Sequence, residues 1–504
     1  MSRVCGPILG FRGQENDIWR INLLVAHNDG ASPPPLIHGA RGQSPADEVM
    51  PALMGEVAGV SFFGYEVGIP RGESEHIVEY GFAGEEGRWA FAVPGRFQPP
   101  RIAYSSCNGF SMPGDMKKIA DKNALWNDLG AKHAAQPFHL LLMGGDQIYA
   151  DQLWDVIPEL RCFNDWSRAQ RVAMTPGPSL RSALEDFYVG VYRERFSQPP
   201  VASALASMPS IMMWDDHDIF DGWGSYSDEE QASAVFGTIY SAARTCFSLF
   251  QLQSDPTTPS WPMLSGQPSF NAFFRLGNLG LLVLDLRSER TQRQVLSLDT
   301  WSVVFGTLDR TEGLRHLLVM SSIPVVHPDL SFVERSVEIA PGRQDIEDDL
   351  HDQWVSYNHR TERLRLIHRL LDFAHDKGTR VTILSGDVHV AAMGVIESVR
   401  RPVQWVHANV INQLTSSAIV HPPPARFVRY FLEQMGDEVK EIDRGITAQM
   451  LQFPGTNYRF VASRNWLAIE FDGSDRIWVN WHIEGQREAL TKTIHPCEGT
   501  ALVS

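Results

Sequence analysis

Three times in this chain an unbroken apolar run of strand type ends, without a spacer, in a loop that carries carboxylates: "LLLMGGDQIYAD" (Leu140 to Asp151), "IMMWDDHD" (Ile211 to Asp218) and "VTILSGDVHV" (Val381 to Val390). A fourth run, "IAYSSCNGF" (Ile102 to Phe110), ends in polar residues and Cys107. Short apolar runs bounded by turn signals read as strands buried on both faces. "GLLVLDLR" and "LRHLLVMSS" are further runs of this type. Between them lie helical stretches. In "TERLRLIHRLLDFAHDKG", Leu364, Ile367, Leu370, Leu371 and Ala374 recur at helical spacing and Gly378 is the expected C-cap. "DMKKIADKNALWNDLGAKHA" reads as another helix. The alternation constrains residues 99–504 to one large α/β domain, and in such folds functional side chains gather where loops leave the C-terminal ends of strands.

Residues 1–98 read differently. "IWRINLLV", "VSFFGYEVGI", "HIVEYGFA" and "RWAFAVPG" are rich in branched and aromatic residues and are separated by Gly, Pro and polar clusters. This pattern predicts a small all-β sandwich, with Pro99 and Pro100 marking the boundary.

Lys and Arg number 44 against 60 Asp and Glu, a net charge of -16. Nucleic-acid affinity rests on neutralising phosphates, so this balance argues against a genomic DNA or RNA partner. It leaves a small phosphate substrate open, because bound cations reverse the potential locally. The five cysteines are widely spaced, without a Cys-x-x-Cys pair, and imply neither a disulfide framework nor a zinc ribbon. No signal peptide is recognisable and no apolar run reaches membrane-spanning length, so a cytoplasmic protein is the simplest expectation; a chain whose leader had been removed would read the same.

The carboxylate loops carry the chemistry. Asp215, Asp216, His217, Asp218 and Asp221 fall within seven positions, and such a crowd is repulsive unless cations, hydrogen bonds or solvent screen it. Taken singly, Cys107 suits a small buried side chain, Asp146 a Gly-Gly-Asp turn, and Tyr149 packing. Asp387 and His389 could be a turn with one satisfied imidazole, or a pair aimed at one centre. Together, ligands arriving from several strand ends are what a two-metal hydrolytic site requires. Carboxylates such as Asp216 and Asp387 suit Ca2+, Mn2+ or Mg2+, whereas thiolate with phenolate favours Fe(III).

"SSCNG", "GGDQIYAD", "WDDHD", "VLDLRSER", "HDQWVSY", "LSGDVHV" and "NQLTSS" occur in the order of the corresponding segments of PhoD-like alkaline phosphatases and phosphodiesterases. Over roughly residues 99–420 the chain resembles that family, part of the calcineurin-like metallophosphoesterase superfamily. The resemblance implies a two-sheet αββα core with an iron and calcium site. It implies that Cys107, Asp146, Tyr149 and His389 hold the trivalent ion, and that Asp146 bridges to a second ion held with Asp216 and Asp387. It makes His217 the candidate for leaving-group protonation. Arg287 and Arg290, near a similar Asp-x-Arg strand end, would contact phosphate or support the sheet.

The implied reaction is hydrolysis of a small phosphate ester by metal-activated hydroxide. The alternatives are a phospholipase-D-like diesterase and a non-catalytic binding protein in which the metals are structural. Two departures stand out. Asp218 and "FDGWGS" replace the Glu and paired asparagines common in extracellular members, and the family's twin-arginine leader and Gly-Val-Ala-Ser-Gly-Asp-Pro stretch are missing.

Overall fold

The computed structural model describes residues 3–499 except 29, 44–46, 260, 265–267, 329–353, 355–358, 403 and 425. Its frame is two large mixed sheets. The expected apolar runs are strands Ile102–Ser105, Leu140–Gly144 and Ser210–Met213 in a ten-stranded sheet, and Leu279–Leu284, His316–Ser321 and Arg380–Ser385 in a nine-stranded one, where Val410–Ser416, not expected from the sequence, lies beside the last. Within each set, neighbouring strands run parallel. Within each sheet the carboxyl ends of these strands therefore open toward loops on one edge, as parallel pairing requires.

Alternation along each strand builds two apolar layers. In His316–Ser321, Leu318 and Met320 join the core shared with the first sheet, while Leu317 and Val319 face a second core containing Trp301, Leu308, Leu366 and Leu370. That second core lies under helices Leu298–Arg310 and Arg360–Lys377. Burial on both faces explains why the strands read as unbroken apolar runs. Gly378 ends the second helix at φ 60°, as its spacing predicts. The helix expected through residues 115–134 is broken. It consists of Pro113–Met116 and Ala124–Ala135, because the Asp121 carboxylate accepts from the Asn123 N–H at 2.9 Å and diverts the backbone into a turn.

The N-terminal region is all strand, and its hydrogen bonding crosses residue 98. Arg3–Glu15 pairs parallel with Ser210–Met213, and Ile18–His27, Val60–Pro70 and Ala52–Val57 extend that same sheet. Asp47–Val49, Leu36–Ala40, His76–Phe82 and Arg88–Val93 form a separate four-stranded sheet. At the other flank, Asn465–Phe471 pairs antiparallel with Ile102–Ser105. Among the described residues no helix is long and apolar enough to cross a membrane.

Candidate metal centre

Each ligand expected from the sequence follows a strand end, and four of them have left-handed backbone: Cys107 (φ 54°), Asp146 (φ 55°), Asp387 (φ 69°) and His389 (φ 52°). Non-glycine residues rarely adopt this conformation, and when they do it concentrates at functional sites. Two glycines make the approach possible. Gly145 (φ 106°) lets the Asp146 loop meet Asp215, whose Cβ would lie 2.9 Å from any added methyl, and at Gly109 a methyl would lie 2.5 Å from the Tyr149 ring.

Potential ligand atoms converge in three overlapping groups. One atom from each of Cys107, Asp146 and His389 lies within 4.8 Å of the others, and the same holds for Asp146, Asp216 and His217, and for Asp215, Asp216 and Asp387. Asp146 thus links the first group to the second. Tyr149 joins the first, its hydroxyl 3.3 Å from His389 Nε2. The Cys107 thiol lies 3.5 Å from Asp146 Oδ2 and 2.9 Å from the Ser417 hydroxyl.

The donor set fits metal ions. Asp146 Oδ1 is buried without a hydrogen-bond partner among the described residues, an expensive state for a carboxylate oxygen that a cation would relieve. Burial raises the Asp146, Cys107 and Tyr149 pKa values well above their usual ranges; nearby carboxylates add to the effect at Asp146, and Asp146 itself does so at Cys107 and Tyr149. His389 is held well below the usual imidazole range by burial and then by His421 and His217, which keeps the ring neutral and its lone pair open to a cation.

His217 behaves in the opposite way. Burial opposes its charging, but Asp151, Asp216 and Asp221 outweigh that cost and raise its pKa well above the usual value. Its Nδ1 lies 3.0 Å from each oxygen of Asp151, which leaves Nε2 as the other ring nitrogen, 3.9 Å from Asp221. Asp218 is a fastener of loops. It accepts from the backbone N–H groups of Asp215, Gln147 and Ile148 and from the Gln251 amide, tying the Asp146 loop to the Asp216 loop. Burial nevertheless pushes its pKa up to about 7.

Both arginines of the strand-end motif are buried. Arg287 pairs with Asp215, reaches Asp216 Oδ1 at 3.3 Å and donates to the Trp223 carbonyl at 3.2 Å. Arg290 lies 3.3 Å from His359 Nδ1. Of the "HDQWVSY" motif only Trp354 lies inside the described residues.

The structure also brings in Asp151, Asp215, Ser417 and His421, none of which the sequence marked as a ligand or catalytic group. Asp151 closes the "GGDQIYAD" loop and Asp215 stands beside Asp216, so both had a local signal. Ser417 closes the "NQLTSS" segment, though nothing in that segment marked it for the centre, and His421 had no signal at all, because it lies beyond that segment.

Comparison with known proteins fits this geometry. A family model described as PhoD related phosphatase matches residues 80–342 and 336–441. The uncharacterized protein YGR266W of Saccharomyces cerevisiae is 30% identical over 393 residues, 66% of this chain; the chain spans 56% of that relative's length. The solved structure of PhoD aligns with 100% of this chain and 94% of its own at TM-score 0.62 and 12% identity. A purple acid phosphatase from yellow lupin (Lupinus luteus) seeds aligns with 99% of this chain and 77% of its own at TM-score 0.51 and 10% identity. These two show a shared metallophosphoesterase-like fold, the two-sheet α/β core expected from the sequence. With the family match spanning most of the chain, this protein belongs to the PhoD-related phosphatase family.

Proposed function

We propose that the chain hydrolyses small phosphate esters at a two-metal centre. Cys107, Asp146, Tyr149 and His389 would hold one ion, and Asp216 and Asp387, with Asp146 shared, the other. The thiolate and phenolate favour Fe(III) at the first position; the carboxylates favour Ca2+ at the second, with Mn2+ or Mg2+ as substitutes. Ions bound there supply Lewis acidity, polarising phosphoryl oxygens and lowering the pKa of water.

The chain's own groups do the rest. His217, held protonated by its carboxylate neighbours, donates from Nε2 to the departing alkoxide, and Asp151 fixes the tautomer through Nδ1. Cys107 acts as a ligand, since a metal-bound thiolate has lost most of its nucleophilicity. Of the two roles open to Arg287, we assign the supporting one: it orients Asp215 and Asp216. The observation that carries this reading is Asp146, common to two ligand groups with one oxygen buried and unsatisfied. Residues 1–98, in the same proposal, form an N-terminal β unit that buttresses the catalytic part, residues 99–504.

The test is nitrophenol release from mono- and bis-nitrophenyl phosphate by protein loaded with Fe(III) and Ca2+, beside Asp146→Asn. Turnover lost in the variant supports the reading, and the ratio of the two substrates separates monoesterase from diesterase. Undiminished turnover in Asp146→Asn overturns it.

A further inference from the structure

His421 lies outside every motif of the sequence, yet it is the one side chain, among the described residues, that stacks on both ring ligands assigned above. Its ring centroid is 3.8 Å from that of His389, with planes 20° apart, and 5.3 Å from that of Tyr149, with planes 19° apart. Three near-parallel rings are packed together beside the buried thiol of Cys107.

The ring is held on every side that could turn it. Its Nδ1 lies 2.9 Å from the Pro422 carbonyl, which only accepts, so Nδ1 carries the proton. Its Nε2 therefore accepts from the Ser111 hydroxyl at 3.1 Å. Its backbone N–H donates to the Cys107 carbonyl at 3.2 Å, tying the stacking residue to the loop that bears the thiol. Both ring nitrogens are engaged, so neither is available to exchange a proton with substrate.

We infer that His421 is a positioning residue of the first metal centre: its pinned ring sets the planes of Tyr149 and His389 so that the phenol oxygen and the imidazole nitrogen converge. The inference rests on the ligand assignment of the proposed function. Partners that orient ligands commonly contribute about 10–100-fold to metal affinity. Here the orientation comes from ring stacking instead of a hydrogen bond to the ligand, so what matters at position 421 is a flat ring.

The test uses the full chain stripped of metal and titrated with Co(II) against a competing chelator. His421→Phe keeps a ring, His421→Leu keeps volume without one, and Ser111→Ala loosens the ring. The expected result is Co(II) affinity close to wild type for His421→Phe, about 10–100-fold weaker for His421→Leu, and a few-fold weaker for Ser111→Ala, with a shifted visible Co(II) spectrum in His421→Leu alone. Wild-type affinity in His421→Leu, or equal losses in the Leu and Phe variants, overturns the inference. Should His421→Leu fail to fold, Ser111→Ala carries the test, and unchanged affinity there overturns it. Asp146→Asn run in parallel separates the two claims. If it too binds Co(II) normally, the metal-centre reading has failed; if it alone loses binding, only the role of His421 has.

Discussion

The two halves of the site hold their charges differently. On the Asp216 side the protein itself supplies counterions and donors: Arg287 pairs with Asp215 and Asp216, the Ser322 hydroxyl lies 2.9 Å from Asp215, and the Gly222 N–H donates to Asp216 at 2.9 Å. On the Cys107 side no arginine or lysine plays that part among the described residues, and the charge of His217 lowers the Asp146 pKa without outweighing burial. Acidic groups are buried against one another, and Asp146 Oδ1 has no hydrogen-bond partner among the described residues. One half is partly satisfied before any ion arrives, whereas the other depends on the ion for its balance.

The sharpest way to break this contrast is to remove the shared carboxylate. Asp146→Asn is expected to reduce turnover to background and to lose both ions in metal analysis; retention of one ion on the Asp216 side would mean that the halves are independent. Next in size is His217→Ala, expected to lower kcat by about 10²–10⁴-fold on alkyl phosphates. The loss should shrink on nitrophenyl esters, whose leaving group needs no proton. An equal loss on both ester types would remove His217 from that role.

Arg287→Met tests the self-satisfied half. Removing one partner of a buried ion pair costs about 3–5 kcal/mol, so chemical denaturation should show a large loss in the metal-free protein. Added Ca2+ should restore part of it by taking over as counterion. Absence of any rescue would imply that Asp215 and Asp216 answer to Arg287 alone.

A smaller effect follows from the protons on the other half. Burial raises the Cys107 and Tyr149 pKa values above ranges that already lie well above neutrality, so the thiol and phenol are protonated in the metal-free protein near pH 7 and must release protons when an ion binds. Affinity for Co(II) is therefore expected to rise with pH. Calorimetry in buffers of different ionisation enthalpy should register proton release on binding, and affinity that is flat with pH would contradict the assignment.

What could be read from the sequence follows the same division. Cys107, Asp146, Tyr149, Asp216, Asp387 and His389 were legible as candidates because each sits just beyond an apolar strand, and the family resemblance, not the local pattern, named them as ligands. The structure places them together, although their roles rest on the proposal. Arg287 was visible only as an ambiguous residue, because its partners come from the other sheet. His421 was silent for the same kind of reason: its stacking partners lie on loops far away in sequence. The pairing of Arg3–Glu15 with Ser210–Met213 joins strands some two hundred residues apart, beyond any local periodicity. The broken helix at residues 117–123 was missed because a side chain competing for the backbone outweighed apolar spacing that looked continuous.

The most direct test of the central claim is anomalous X-ray diffraction from crystals of the metal-loaded protein. The account predicts two peaks about 3.5–4 Å apart, one within bonding distance of Cys107 and His389, the other of Asp216 and Asp387, with Asp146 touching both. A single peak, or peaks that leave Asp146 without a metal, would contradict it.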